Sequence, residues 1–82
     1  MAKTYRRADI TDEMIVRALV EYSNGGPLAW DAFANAGIPG KVIEAAFERC
    51  YDHGYIECGV SIAYPWPTTS GLALLLPEGG TI

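Results

Sequence analysis

Basic residues are scarce in this sequence, and those present are unevenly placed. The 82 residues include six Lys and Arg against ten Asp and Glu, which gives a formal net charge of −4 at pH 7. Lys3, Arg6 and Arg7 stand together near the start, and no Lys or Arg follows Arg49. Proteins that hold duplex DNA by its phosphates usually carry a basic excess or a basic stripe. The sequence has no overall excess of this kind.

Cysteine and histidine are also rare. Cys50 and Cys58 lie eight residues apart, and His53 is the single histidine. They lack the CxxC and Cys/His spacings of a metal site, so we expect no metal and no cofactor. Buried free thiols are the usual state of cysteine in a reducing compartment, and a Cys50–Cys58 bridge is the less favoured alternative. His53 precedes Gly54 at a predicted helix end, where we expect a capping or surface role rather than a catalytic one.

Catalytic motifs and long hydrophobic runs are missing. The sequence has no Ser-His-Asp order and no phosphate-binding loop, so we expect neither enzymatic activity nor a small-molecule substrate. The longest apolar run, residues 72–76, is far too short to cross a membrane, and the first seven residues lack the apolar stretch of a signal peptide. Half of the residues are apolar and they are spread along the chain. We therefore expect one globular domain in the cytoplasm, without membrane contact.

Apolar spacing predicts three helices in the first two thirds of the chain. The first should begin near Thr11, with Asp9 or Thr11 as N-cap, and end within residues 23–27. A second, shorter helix should run from residue 28 or 29 to 36, and a third from about residue 39 to 53. The side chains predicted to share the inner faces of these three helices are Met14, Ile15, Ala18, Leu19 and Tyr22; Trp30, Phe33 and Ala34; and Ile43, Ala46, Phe47 and Cys50.

The last third of the chain changes its pattern. Residues 55–62 alternate in a way that predicts a strand. Pro65 and Pro67 restrict the next segment to a loop or a sheet edge. Residues 68–71 resemble a helix start, so residues 72–76 should form a short helical turn or a strand.

This order of elements resembles the winged helix-turn-helix family over residues 11–76. Pro-Leu-Ala-Trp at 27–30 matches the start of the second helix, and Ala-Gly-Ile-Pro at 36–39 matches the following turn. Residues 50–56 resemble the entry to the wing, although Cys50 replaces a large aliphatic residue, and residues 67–75 resemble the return from it. The resemblance implies an α+β, mainly α fold: three helices, a small antiparallel β-wing and a short C-terminal segment. The domain would span residues 10–76, between a flexible basic arm (1–9) and a C-terminal tail (77–82).

The surface of the third helix bears on function, because the family typically lays this helix in the major groove of DNA. Helical geometry turns one cation and three carboxylates outward, and carboxylates are repelled by phosphate, although one can accept a hydrogen bond from cytosine. The wing, residues 59–70, contains no Lys or Arg. It offers Tyr64 and Trp66 beside stiff prolines, as protein interfaces often do. The outward positions of the helix are Lys41, Glu44, Ala45, Glu48 and Asp52.

Each of these charged and aromatic features also has a simpler structural interpretation. The helix charges could form an ordinary solvated face, Lys3, Arg6 and Arg7 could form a solvated N-terminus, and Trp66 could fold back over a small core.

Two functional hypotheses follow, and the charge pattern favours the first. In the first, the protein is a regulator or inhibitor of nucleic-acid-handling machinery that binds a protein partner. Its acidic helix would imitate DNA phosphates, and it resembles in type the small proteins that phages use against host machinery, anti-CRISPR proteins among them. In the second, it is a DNA-binding transcriptional regulator that acts as a homodimer. The interface residues would be Glu44, Glu48, Asp52, Tyr64 and Trp66 in the first case, and Arg6, Arg7, Lys41 and Arg49 in the second.

Overall fold

The computed structural model describes residues 5–76, which fold into an α+β, mainly α structure. Lys3 and the predicted tail lie outside the described residues. Within residues 5–76 no helix is both long enough and apolar enough to cross a membrane. In chain order the elements are a 3-10 helix called η1 (Arg7–Asp9), α1 (Asp12–Ser23), α2 (Ala29–Asn35), α3 (Gly40–Asp52), β1 (Ile56–Glu57), β2 (Trp66–Pro67) and α4 (Thr69–Ala73).

Helix α1 begins and ends where its capping residues predict. The Thr11 hydroxyl accepts a hydrogen bond from the Met14 backbone N–H at 3.2 Å, which confirms Thr11 as the N-cap. The chain leaves the helix at Asn24, and Gly25 follows with φ +97°. This left-handed conformation favours glycine, so the turn fixes the direction in which the chain departs toward α2.

The buried side of α1 differs from the predicted stripe. Ile15 and Leu19 are buried as predicted, and Val16 joins them. Met14 and Tyr22 are 42% and 48% exposed, so the prediction was wrong for both. The reason is that α1 carries apolar residues on more than one side, and its contacts with α2, α3, β2 and α4 fully bury only Ile15, Val16 and Leu19.

Helix α3 supplies the centre of the core. Its predicted stripe is buried in full, and Phe47 lies between two aromatic rings of α2. Trp30 and Phe33 approach Phe47 edge-on, with ring centroids 5.6 and 6.1 Å away. On α2 the prediction for Ala34 was wrong, because this residue is exposed and Ala29 is buried in its place. The four buried residues of α3 are Ile43, Ala46, Phe47 and Cys50.

The N-terminal segment departs from the predicted flexible arm over residues 5–9. Residues 7–9 form η1, which packs against α3, and the Asp9 carboxylate accepts the Arg6 backbone N–H at 2.8 Å. Tyr5 packs against the core, and its hydroxyl donates to the carbonyl of Ala36 at 3.3 Å. Ile10 next to this segment is completely buried. The segment is ordered because these long-range contacts hold it, and short-range sequence patterns do not reveal such contacts.

The sheet is shorter than the predicted strand. Only residues 56–57 of the predicted 55–62 form a strand, and they pair antiparallel with residues 66–67 in the register Ile56↔Pro67 and Glu57↔Trp66. Gly59 lies in a bend soon after β1, and Pro67 has no N–H to donate to a longer ladder. The expectation of a loop or sheet edge around Pro65 and Pro67 is confirmed.

The segment after β2 forms a short helix, α4, so the expected helical turn is confirmed and the alternative of a strand is wrong. The Thr68 hydroxyl accepts the Gly71 backbone N–H at 3.0 Å, as an N-cap does. Gly71 is buried, and a Cβ at this position would overlap the Tyr55 carbonyl oxygen and lie within 2.9 Å of the carbonyl carbon. The absence of a side chain therefore lets α4 pack directly on the chain that enters β1.

We expect Gly71→Ala to lower the free energy of unfolding by about 2 kcal/mol or more, because backbone must move to admit the methyl group. Gly40→Ala is the matched control. Its Cβ would meet only Trp30 Cζ2 at 3.8 Å, an ordinary contact, so it should be neutral or stabilise by up to about 1 kcal/mol. Urea unfolding followed by circular dichroism measures both values. Equal midpoints for the two variants would show that α4 does not approach Tyr55 this closely in solution.

Candidate functional site

The outer side of α3 carries a line of charge. Lys41, Glu44, Glu48 and Asp52 are all exposed, as the sequence predicts. At 3.6 residues per turn they fall within roughly a quarter of the helix circumference, opposite the buried stripe. Ala45, also predicted to face outward, is half-buried at the margin. We call Glu44, Glu48 and Asp52 the acidic face.

The carboxylates of the acidic face have no cationic partner within residues 5–76. Ion pairs in this part of the chain join Arg17 to Glu13, Arg49 to Asp12 and His53 to Asp12. Lys41, one turn from Glu44, forms none. The negative charge on the outer side of α3 is therefore exposed to solvent, where counterions screen it over about 8–10 Å.

Arg49 is used inside the fold, which differs from its expected place on DNA. Its Nε donates to Asp12 Oδ1 at 3.0 Å and its Nη1 to the Arg7 carbonyl at 3.0 Å, while its Nη2 donates to the Ile10 carbonyl. Arg49 lies on the flank of α3 that faces η1, and it adds a second donor to the Arg7 carbonyl, which also accepts the Ile10 backbone N–H at 3.1 Å. The Arg49 guanidinium therefore holds the N-terminal segment against α3, and its hydrogen-bond donors are not available to a phosphate.

Asp12 accepts hydrogen bonds from two residues near the end of α3. Besides Arg49, His53 Nδ1 lies 2.8 Å from Asp12 Oδ2, and the His53 ring meets Tyr55 edge-on at 5.8 Å. Burial alone would raise the pKa of Asp12, but hydrogen bonds from His53 and Arg49 outweigh it and lower that pKa below the usual 3.8. We call Asp12, Arg49 and His53 the Asp12 cluster.

The sequence contains no signal for this cluster. From the sequence, Asp12 is interpreted as an ordinary acidic residue in the first turn of a helix, and His53 is interpreted as a helix cap. His53 does end α3 as its C-cap, half exposed, in agreement with the expected role. The partners of Asp12 lie 37 and 41 residues away, and only the folded arrangement brings them together.

The wing presents a second, aromatic surface. Tyr64 and Trp66 are 63% and 50% exposed, so Trp66 folds back only in part, with its ring near Gly59. Strand β2, which carries Trp66, packs against α1 and α4, whereas β1 packs against α3. The structure thus groups the acidic residues on one helix and the aromatic residues on one loop, and it does not show the two groups as one continuous site.

The exposed cations among those expected to contact DNA lie near opposite ends of α3. Arg6 and Arg7 are exposed on the segment that packs beside Arg49, and Lys41 lies about 12 Å from Arg49 along the helix axis. Along the helix axis Glu44 and Glu48 lie between Lys41 and Arg49, and Asp52 lies about 4.5 Å beyond Arg49.

The cysteine chemistry is that of a buried thiol. Both cysteines are free, Cys50 is buried, and burial raises its pKa to about 12. Cys50 is therefore a neutral thiol at physiological pH. Over residues 5–76 the structure shows no group of three potential metal ligands and no pocket.

Comparisons of this chain with models of protein families, with curated proteins and with solved structures find no match.

We expect the Asp12 cluster to make stability depend on acid. Because the folded pKa of Asp12 is lowered, its contribution is fully present above the unfolded value near 3.8 and is lost as pH falls through the folded value. Asp12→Asn should therefore reduce the free energy of unfolding by about 1–3 kcal/mol at neutral pH, and the difference should shrink below pH 3.8.

Urea unfolding between neutral pH and about pH 2 measures this difference. Glu57→Gln is the control. The Glu57 side chain is exposed and makes no ion pair with another described residue, so its loss should change stability at neutral pH by less than about 0.5 kcal/mol. A gap between Asp12→Asn and wild type that persists undiminished in acid would contradict the assigned role of the carboxylate.

Proposed function

We propose that this protein is a non-enzymatic binding module of the winged-helix type that docks its acidic face on a basic, nucleic-acid-binding surface of a partner protein. In this way it would regulate or inhibit nucleic-acid-handling machinery, as phage-type inhibitors of host proteins do. The observation that carries the proposal is the acidic face itself: three exposed carboxylates on one side of α3, with no cation paired to any of them within the described chain.

The order and packing of the elements support the winged-helix part of the proposal. Helices α1, α2 and α3 contact one another, and the antiparallel pair β1–β2 and helix α4 follow them. Gly37, with φ +94°, makes the tight turn between α2 and α3. In this scheme α3 takes the place of the recognition helix and residues 58–65 take the place of the wing tip.

The spacing of the acidic face suits a basic groove. Glu44, Glu48 and Asp52 follow at intervals of four residues, which places a carboxylate every 6 Å or so along one side of a stiff rod. A groove lined with Lys and Arg to hold a phosphate backbone attracts such a line of negative charge. Complementary charge of this kind speeds association and selects the partner more than it adds affinity.

The same geometry argues against direct DNA binding. One of the four expected DNA-contacting cations, Arg49, is committed to the Asp12 cluster. The exposed ones that remain, Arg6, Arg7 and Lys41, stand near opposite ends of α3, with Glu44 and Glu48 between Lys41 and the end at which η1 packs. A phosphate backbone laid along this helix would pass Glu44 and Glu48 to reach both sets of cations, with Asp52 nearby, and like-charge contacts of that kind oppose binding.

We expect Glu48→Lys to abolish capture of the partner. The tagged protein is incubated with a nuclease-treated cell lysate, and bound proteins are eluted with excess duplex DNA. Wild type should retain nucleic-acid-binding proteins that the DNA releases, and Glu48→Lys should lose most of them because it reverses the charge at the centre of the acidic face. Glu21→Lys, an equal charge change at an exposed position of α1, should retain them. If Glu48→Lys retained the same DNA-releasable proteins, the acidic face would not be the docking surface.

We also expect no binding to random duplex DNA, even at low salt where phosphate attraction is strongest. Fluorescence anisotropy of a labelled duplex at about 50 mM and about 200 mM salt measures this directly. Tight binding to the duplex at about 50 mM salt that weakens steeply at about 200 mM salt would favour the DNA-binding regulator instead. Loss of that binding in the double variant Arg6→Ala, Arg7→Ala would then locate the contact.

A further inference from the structure

The first described residues of the chain lie across α3 and are held there weakly. We call residues 5–9, which include η1, the strap. Residues 6–9 are exposed and η1 buries none of its side chains, so the apolar contribution of the strap to the core is the half-buried ring of Tyr5. Ile10, the next residue, is completely buried. The strap is therefore anchored firmly at Ile10 and weakly along the rest of its length.

The hydrogen bonds that give the strap its shape lie within it or reach only Ile10. The Arg6 carbonyl accepts the Asp9 backbone N–H at 2.9 Å, and the Arg7 carbonyl accepts the Ile10 backbone N–H at 3.1 Å. These bonds join residues three apart, so they persist when the strap leaves α3. A segment with few buried apolar contacts and exposed backbone hydrogen bonds belongs to the least stable part of a protein and can open by itself.

Hydrogen bonds from two side chains tie the strap to α2 and α3. The Tyr5 hydroxyl donates to the carbonyl of Ala36, which caps α2, at 3.3 Å. Arg49 Nη1 donates to the Arg7 carbonyl at 3.0 Å, and its Nη2 donates to the carbonyl of Ile10. A hydrogen bond from a charged donor is the stronger of these two kinds. Arg49 is therefore the residue of α3 that holds the strap.

Asp12 sets the orientation of the Arg49 guanidinium. Asp12 Oδ1 accepts Arg49 Nε at 3.0 Å, and the two side chains are only 19% and 20% exposed. Because a guanidinium is planar and holds its donors in a fixed fork, a bond at Nε decides where Nη1 and Nη2 point. The second oxygen, Asp12 Oδ2, lies 2.8 Å from His53 Nδ1, so the carboxylate is itself held from both sides. Asp12 is thus a positioning residue that acts on the strap through Arg49.

We propose that the Asp12 cluster keeps the strap closed on α3, and that the strap opens about Ile10 while the core stays folded. Opening breaks the contacts of Tyr5 with Ala36 and of Arg7 with Arg49. It carries the cations Arg6 and Arg7 away from α3 and frees Nη1 of Arg49, so the open and closed states differ in the charge beside this helix. The inference does not rest on the proposed function, because it concerns the attachment of the strap and not the acidic face.

Limited digestion with trypsin, followed by mass spectrometry of the fragments, tests the opening. Trypsin cuts after Lys and Arg in locally unfolded chain, and at low protease the rate follows the population of the open form. In wild type, cutting after Arg6 or Arg7 should be at least about tenfold faster than cutting after Arg17 on α1 or Lys41 on α3, which requires a helix of the core to open. Equal rates at strap and helix sites would overturn the proposal, as would strap cutting as fast as in a free peptide of the same sequence.

The variant Asp12→Asn tests the role of the cluster. It should speed cutting after Arg6 and Arg7 about tenfold, the factor expected from losing a hydrogen bond to a charged group. Glu13→Gln is the matched control, because it neutralises the neighbouring carboxylate, which pairs with Arg17 on the surface. It should change the strap rate by less than about twofold. A merely structural role for Asp12 would speed cutting after Arg17 and leave the strap rate at the wild-type value, and that result would overturn the proposal.

The variant Arg49→Lys separates the strap from the stability of the core. A lysine keeps a positive charge beside Asp12 but lacks the planar fork that reaches a carboxylate and two carbonyls at once. Cutting after Arg6 and Arg7 should therefore rise by a factor similar to that of Asp12→Asn, while cutting after Arg17 stays within about threefold of wild type. A strap rate unchanged by this substitution would show that Arg49 does not hold the strap.

Discussion

Helix α3 can be covered on one side only, and the rest of the structure follows from that constraint. The described chain places α1, α2, η1 and β1 against this helix, and together they bury the stripe around Phe47. The opposite side stays in water, where charged residues are well solvated, but hydration alone does not fix the sign of its charge. Three carboxylates beside one lysine are therefore more than the fold requires. The sign of the charge on α3 carries information about function that the burial pattern does not.

Cations and carboxylates are used differently in this molecule. Arg49 donates to the Ile10 carbonyl, and also to the Arg7 carbonyl, which already accepts the Ile10 backbone N–H; a buried or half-buried carbonyl without a partner is costly. Arg17 pairs with Glu13 on the surface of α1. Two of the few cations are thus paired within the described chain, while the acidic face is not. The outer side of α3 consequently presents a stronger negative surface than the net charge alone suggests.

How far the sequence predicts the structure depends on the range of the interactions involved. The bounds and buried stripe of α3 follow from helical spacing between Pro39 and Gly54, and Thr11 follows from capping chemistry. The stripe of α1 does not, because Met14 and Tyr22 are apolar residues that stay largely exposed, and only packing with the rest of the chain decides which apolar residues of α1 are buried. The Asp12 cluster depends on contacts between residues about 40 positions apart. The outward side of α3 was therefore predictable from local sequence, while the commitment of Arg49 to the interior was not.

The DNA-binding alternative requires two copies of this chain, but pairing them does not supply the cations that α3 lacks. Pairing doubles the carboxylates of α3 together with Arg6, Arg7 and Lys41, so the ratio of repelling to attracting groups beside the phosphates stays the same. A twofold DNA-binding protein gains specificity when each half already reads its half-site, and nothing in the charge of this helix favours that first step.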